Sequence, residues 1–298
     1  MSAERTAISY GPGVTSASRS VLVELMTALG AYRDALILIG GWAPYFLLER
    51  HQRPDDPFAH VGSIDIDLVV DPRRVGDPQY ATIVELLRAR GYRPALGRRG
   101  REIPFSFERT VLSPATEKPY TIRVDFLTRL DPDGSDGPHL EVQDALFARK
   151  LAGCEAAFDH HTMIELTGVL PDGGEHTVPM RMADVVGCLT MKGIVLGERY
   201  REKDAYDIYA LAAHYGSGPA AAAEAVRPHR DRALVAEAVG RIARAFASRN
   251  ATGPAWVAAF LLNPMFAEAY QRQVTDAFMV VHEFTRLLSA PRPAPERT

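Results

Sequence analysis

The chain has 298 residues and a formal net charge of -3, with 47% hydrophobic and 24% charged residues. That balance is the one of an ordinary globular protein with enough apolar side chain for a sizeable core, in one large domain or two modest ones. It excludes a polycation, wholesale disorder, a collagen-like repeat and a coiled coil.

Residues 1–17 are rich in Ser, Gly and Thr and read as a flexible N-terminal arm. Val21, Leu22, Leu25, Met26 and Leu29 recur at the spacing of one buried helix face, and Gly30 marks the end of that helix. Ala35–Ile39 is a short β-type run that breaks at Gly40-Gly41. Pro44 then sits in the first turn of a helix running to about Arg50. The segment Gln52–Val61, with two prolines and two aspartates, is a loop. Ile64–Val70 is a strand closed by Asp71-Pro72. Tyr80–Arg90 is an amphipathic helix. Ile103–Thr110 and Tyr120–Leu127 alternate like strands, and Thr162–Thr167 and Glu175–Met180 flank a hairpin turn at Pro171–Gly174. After Met182 the pattern is mostly helical, at about 183–197, 202–214, 219–226, 231–248, 253–260 and 265–288. The fold class predicted is therefore α+β: a mixed sheet with flanking helices over 18–180, a helical domain over 181–290, and a disordered proline-rich tail over 291–298. Apolar runs are far too short to span a membrane. The start MSAERTAISYGPG lacks the basic and apolar stretches of a secretory signal. Cys154 and Cys188 suit neither a disulfide framework nor metal-ligand spacing. The expectation is a reduced, cytoplasmic protein with no membrane partner.

Chemistry concentrates in Ser63-Ile64-Asp65-Ile66-Asp67-Leu68. Residues two apart on a strand share a face, so Asp65 and Asp67 project together while Ile64, Ile66 and Leu68 enter the core. Two such carboxylates repel one another, and a divalent cation removes the penalty. Carboxylate oxygens suit Mg²⁺, which keeps waters and recruits phosphate oxygens. Asp125 occupies a matching apolar strand. If the two strands are neighbours, Asp65, Asp67 and Asp125 converge and can hold two ions roughly 4 Å apart, the arrangement for in-line displacement at phosphorus. The plainer alternative is a pair of aspartates at a solvated strand rim. Gly40-Gly41, between strand and helix, lets backbone N–H groups approach phosphate, although such a pair is also an ordinary turn. Ser63 is either a strand-edge hydroxyl or a phosphate contact.

Gly40-Gly41-Trp42 followed by Ser63-x-Asp65-x-Asp67 resembles the glycine-pair and D-x-D signature of the DNA polymerase β-like nucleotidyltransferases. Lys192, Arg199, Lys203, Asp204 and Asp207 are similar to the K…R…KDxxD block of AbiEii-type toxins, the nucleotidyltransferase toxins of bacterial toxin–antitoxin pairs, which include the mycobacterial MenT group. The resemblance covers roughly residues 35–215. It departs from the superfamily in the 23 residues between Gly41 and Asp65, so the segment 52–61 has to loop out. The resemblance implies a nucleotidyltransferase using Mg²⁺ and an NTP, with the tRNA 3′ end as acceptor and a cognate antitoxin protein as partner. It implies catalytic roles for Asp65, Asp67, Asp125, Lys192, Asp204 and Asp207, and nucleotide binding by Gly40, Gly41, Ser63 and Lys192. Two other functions stay open: an antibiotic nucleotidyltransferase of the aminoglycoside or lincosamide kind, and a non-catalytic binding module on the same scaffold.

The basic residues are lopsided. Only four are lysines, and arginines supply the other thirty, as in a GC-rich genome. Six arginines lie between Arg88 and Arg101, of which Arg98, Arg99 and Arg101 are the candidate RNA contacts. Arg227, Arg230, Arg232, Arg241 and Arg244 make a second cluster. In so arginine-rich a chain either cluster reads equally as a solvated face. His160-His161 reads as a surface turn.

Overall fold

The computed structural model describes residues 6–75, 81–97, 99–130, 137–196, 198 and 201–290. In chain order the sheet elements and their helices are α1 (Pro12–Ala28), β1 (Leu36–Leu38), α2 (Trp42–His51), β2 (Ile66–Val70), α3 (Ile83–Ala89), β3 (Arg93–Leu96), β4 (Glu102–Leu112), β5 (Pro119–Thr128), β6 (His139–Gln143), β7 (Leu146–Lys150), α4 (Glu155–Asp159), β8 (His161–Val169) and β9 (Glu175–Ala183). The helices α5 (Val185–Val195), α6 (Arg201–His214), α7 (Pro219–Val226), α8 (Ala233–Ala245), α9 (Thr252–Leu261) and α10 (Ala267–Ser289) follow. The predicted α+β class and helical C-terminal region are observed.

The chain divides into two compact units. The first comprises Ala7–Leu47 and Ala59–Met191; the second comprises Leu48–Phe58 and the described residues from Lys192 onward. The division thus falls within α2 and α5 rather than at residue 180. Leu48–Phe58 belongs with the helices because its polar groups are satisfied there: Gly216 N–H donates to the His51 carbonyl, Asp56 Oδ2 lies 2.7 Å from His214 Nδ1, and the Phe58 ring stacks on His214 at 3.8 Å. The proline- and aspartate-rich insertion therefore does loop out, and its first half docks on α6.

In the sheet unit, the described residues form nine strands in one mixed sheet, with the order β3-β4-β5-β2-β1-β9-β8. Strand β7 joins β5 in parallel and carries β6 on its other side. The central pairings are β1 with β2 antiparallel, β2 with β5 parallel and β1 with β9 parallel. Alternation drives the layering. Ile66, Leu68, Val70, Val124 and Phe126 are completely buried, while the intervening Asp67 and Asp125 stay partly open.

Helix α1 begins at Pro12 instead of near Ser18, so the part of the expected arm from Pro12 on is helical; residues 1–5 of it lie outside the described residues. Pro12 takes the first helical position, where no intrahelical N–H is needed. The small residues of this stretch serve close packing. A Cβ on Gly13 would come within 2.3 Å of the Tyr120 hydroxyl, and Ala17, Ser18 and Ser20 are buried. Trp42 is buried beneath this helix and donates through Nε1 to Ser18 Oγ at 3.0 Å.

Four short elements went unread in the sequence: β3, β6, β7 and α4. His160 is buried at the end of α4, not on a surface turn. The expected tail 291–298 lies outside the described residues.

In the helical unit, α6, α7, α9 and α10 pack on one another. Tyr206, Phe246, Phe260 and Phe284 are completely buried. Here α8 and α10 each present one apolar face to the packing, whereas α6 is buried on every side from Asp204 to Ala212.

Candidate active site

Strand β2 begins at Ile66, one residue later than a D-x-D strand requires. Asp65 stands in the bend before it, with Ile64 only half-buried. The expectation of Asp65 and Asp67 on one strand is corrected accordingly. Asp67 is in direct register with Asp125 across the parallel β2–β5 pair, and Ser106 of β4 is in register with Asp125 on the other side. Identical faces align in registered strands, so Ser106, Asp125 and Asp67 form a row across three strands. Ser106 Oγ donates to Asp125 Oδ1 at 2.5 Å. Burial pushes the Asp125 carboxyl above its ordinary range; the Ser106 hydrogen bond and Arg123 pull down, the nearby Asp65 charge pushes up, and Arg149 pulls down.

The row ends at the glycine turn. Ile39 N–H donates to the Asp67 carbonyl at 3.0 Å, and Gly40 follows with φ +69°. A Cβ at Gly40 would fall 2.1 Å from Asp67 Oδ2. Only glycine permits both the left-handed backbone and the seat of this carboxylate. Gly41 directly precedes the first residue of α2. Ser63 is buried and its hydroxyl donates to the Asp65 carbonyl at 2.9 Å, which braces the bend that presents Asp65.

The three-carboxylate cage expected from sequence is not closed. Among the described residues, no group of three or more His, Cys, Asp or Glu side chains stands close enough to hold one metal ion. The donors themselves suit a hard cation: Asp67 and Asp125 are strand neighbours, and Asp65 is near enough to raise the Asp125 carboxyl. Asp65, Asp67 and Asp125 are the residues that would hold Mg²⁺ here.

Lys192, Lys203, Asp204 and Asp207 assemble within the helical unit. Asp204 and Asp207 lie one turn apart on α6, and the Lys192 ammonium is 2.7 Å from a carboxylate oxygen of each. Lys203 also pairs with Asp207 and is largely buried, with its ammonium 5.1 Å from the centre of the Tyr206 ring. Burial pushes the Lys192 amine down, but Asp204 and Asp207 outweigh this and hold it above its ordinary value. Burial also pushes down Lys203, where the pull of Asp207 is opposed by the charge of Lys192; its amine ends below the ordinary value.

The two arginine clusters differ. Arg88, Arg90, Arg93, Arg99 and Arg101 are all exposed in the sheet unit, and Arg93 pairs with Glu108. Arg98 lies outside the described residues. In the helical unit, Arg227 donates to the Leu287 carbonyl and Arg230 to those of Leu288 and Ala290, closing the end of α10. Arg241 donates to the Ile194 carbonyl at the end of α5 and pairs with Glu198 and Glu237. Three members of the second cluster thus cap helix termini. Among the described residues, no helix is long and apolar enough to cross a membrane.

With this geometry established, comparison with known proteins assigns the chain. The family model of the nucleotidyl transferase AbiEii toxin, Type IV toxin–antitoxin system, matches residues 24–289. By class the protein is a nucleotidyltransferase. It belongs to the AbiEii toxin family, as the D-x-D and lysine segments suggested. A solved structure, JHP933 from Helicobacter pylori, is similar over 90% of this chain and 94% of that chain, at 12% identity and a TM-score of 0.36. Comparison with curated proteins gives no match.

Ser106 and Gly40's steric role were missed in the sequence reading. Ser106 sits in an alternating strand with nothing local to distinguish it. Its importance comes from register with Asp125, which is a tertiary fact.

Proposed function

We propose that this toxin transfers a nucleoside monophosphate from an NTP to an RNA hydroxyl, the acceptor being the 3′ end of tRNA as in the MenT-like members of the family, which blocks aminoacylation and growth until the antitoxin acts. The observation that carries this reading is the registered Asp67–Asp125 pair with Gly40 against Asp67. Mg²⁺ at Asp65, Asp67 and Asp125 would neutralise the triphosphate and the charge that develops in transfer. Asp125, raised above its ordinary range and oriented by Ser106, is suited to accept the proton of the attacking hydroxyl. The oxygen of that hydroxyl bonds to the α-phosphorus, the α–β phosphoanhydride bond breaks, and pyrophosphate leaves. Backbone N–H groups at Gly40-Gly41 and the start of α2 face the phosphates in this reading. The exposed arginines from Arg88 to Arg101, Arg99 and Arg101 first, supply phosphate contacts for RNA.

The test incubates the full chain with each labelled NTP, total RNA and Mg²⁺, then separates RNA on a gel. Label in tRNA, lost in EDTA and in Asp67→Ala, supports the reading. Label in an aminoglycoside or lincosamide with none in RNA overturns it. Asp67→Ala that retains full transfer or toxicity overturns the catalytic assignment.

A further inference from the structure

Next to Asp125, on the side away from Gly40, lies a cluster that neither the sequence motifs nor the family match singles out. Arg149 of β7 is in register with Leu127 of β5, two residues beyond Asp125, and with His139 of β6. The His139 ring stacks on Phe105 of β4, with centroids 5.0 Å apart and planes at 29°. The Arg149 guanidinium sits 6.0 Å from the centre of the same Phe105 ring. Arg149 is exposed, whereas Phe105 and His139 are half-buried. Phe105 directly precedes Ser106, the residue that holds Asp125.

We propose that Phe105, His139 and Arg149 form the subsite for the 3′-terminal nucleotide of the RNA acceptor. This rests on the transfer reading above and adds where the acceptor sits. A guanidinium plane held over an aromatic ring offers a base a stacking surface and a phosphate a fixed cation, the pair of contacts by which single-stranded RNA is bound. Burial, and then the charge of Arg149, push His139 below its ordinary value, so the imidazole is a neutral ring at neutral pH.

Sheet order gives the direction. The strands β1, β2, β5 and β7 are successive neighbours, so the order across the sheet is the glycine turn after β1, then Asp67, then Asp125, then Arg149, which stands two residues further along in register with Leu127. In-line displacement puts the attacking oxygen and the departing pyrophosphate on opposite sides of the phosphorus. A triphosphate seated at the glycine turn leaves the β7 end for the attacking hydroxyl, with Asp125 between the two. Strand β4 then leads away from Phe105 to the exposed Arg101 and Arg99, about 13 Å from Phe105 to Arg101 at strand rise. That path suits the preceding RNA phosphates.

The experiment compares full-length wild type with Arg149→Gln, Arg149→Lys and Phe105→Leu, each first checked by circular dichroism and thermal melting. Initial rates are measured with deacylated tRNA and labelled NTP varied in turn. Arg149→Gln and Phe105→Leu should raise KM for tRNA by about tenfold, the order expected for one lost stack, while KM for NTP moves less than twofold. By fluorescence anisotropy, Arg149→Gln should also lower the slope of log affinity for tRNA against log salt by about 0.7, and Arg149→Lys should restore that slope. A rise confined to KM for NTP shows that the incoming nucleotide takes the stack, and overturns the assignment. Unchanged KM values and slope in well-folded variants also overturn it, while leaving the transfer reading intact. Wild type that labels no RNA at all overturns the transfer reading itself, and the subsite with it.

Discussion

In the sheet unit, Asp125 is half-enclosed, held by a serine hydroxyl and within reach of the Asp65 charge, and its carboxyl is raised. In the helical unit, Asp204 and Asp207 lie 2.7 Å from one lysine ammonium, and Asp207 also meets Lys203, so two negative charges face two positive ones. The second arrangement is complete within the protein. Internally neutralised charges of this kind fix geometry, because moving any member leaves another buried without its partner. The first is poised differently: a carboxylate pushed towards its neutral form gains from an incoming cation or proton. The arginines repeat the contrast. Arg227, Arg230 and Arg241 of the helical unit close helix ends, and Arg88, Arg90, Arg93, Arg99 and Arg101 of the sheet unit stay exposed. Function is to be sought where charge is left open.

The comparison is broken most directly at its two centres. Asp67→Asn and Asp125→Asn should each lower nucleotide transfer by about a hundredfold to a thousandfold or more, since each removes a charge that acts in the transition state. Melting temperature should hardly change, and Asp125→Asn should tend to raise it. Transfer assays alongside thermal melts check both halves, and a folded Asp125→Asn with wild-type transfer would break the reading of the row. Lys192→Met should act in the opposite way. It leaves Asp204 and Asp207 without their shared counter-charge and should cost about 3–5 kcal/mol of stability by urea unfolding. Adding Asp204→Asn and Asp207→Leu to Lys192→Met should recover part of that loss. A stable Lys192→Met single variant that has lost only activity would place this lysine in catalysis rather than in holding the helices.

How far the sequence reached can be read from the same residues. Asp67 and Asp125 were legible because alternating apolar strands announce their faces, and the only assumption was that the strands are neighbours. The long helices were legible from their 3–4 spacing. The start of α1 was not, since Gly13 and Ser18 look like arm residues until Tyr120 and Trp42 are seen packed against them. Arg227, Arg230 and Arg241 were equally opaque: their role depends on which carbonyls lie opposite, and local sequence contains no such information. Strands β6 and β7 are five residues each, too short for periodicity to separate them from loop. The Phe105–His139–Arg149 cluster joins three strands and is visible only through their pairing.

Smaller effects sharpen the contrast between the arginine clusters. Arg99→Ala with Arg101→Ala should weaken tRNA binding several-fold at low salt and leave the melting temperature unchanged. The slope of log affinity against log salt should fall by about 1.4 to 1.8 for two lost phosphate contacts. Arg241→Ala should do the reverse, leaving tRNA affinity intact and costing about 1–3 kcal/mol, because it uncovers the Ile194 carbonyl and two ion-pair partners. Equal losses of RNA binding in both variants would erase the distinction.

The smallest expected effect concerns the segment that joins the helical unit through Asp56 and His214. Burial pushes the Asp56 carboxyl up, but the His214 hydrogen bond, the Phe58 N–H and the charges of His214 and Arg53 outweigh it and hold it below its ordinary value. A carboxyl lowered on folding adds stability above its unfolded value, and that increment disappears as pH falls from about 4 through the folded value. Asp56→Asn should therefore destabilise the protein by at most about 1 kcal/mol at pH 7. The gap between variant and wild type should close as pH is lowered from 5 towards 2.5 in parallel urea titrations. A gap that stays constant across that range would mean that the docking of Leu48–Phe58 depends on the Phe58–His214 stack and not on the carboxylate.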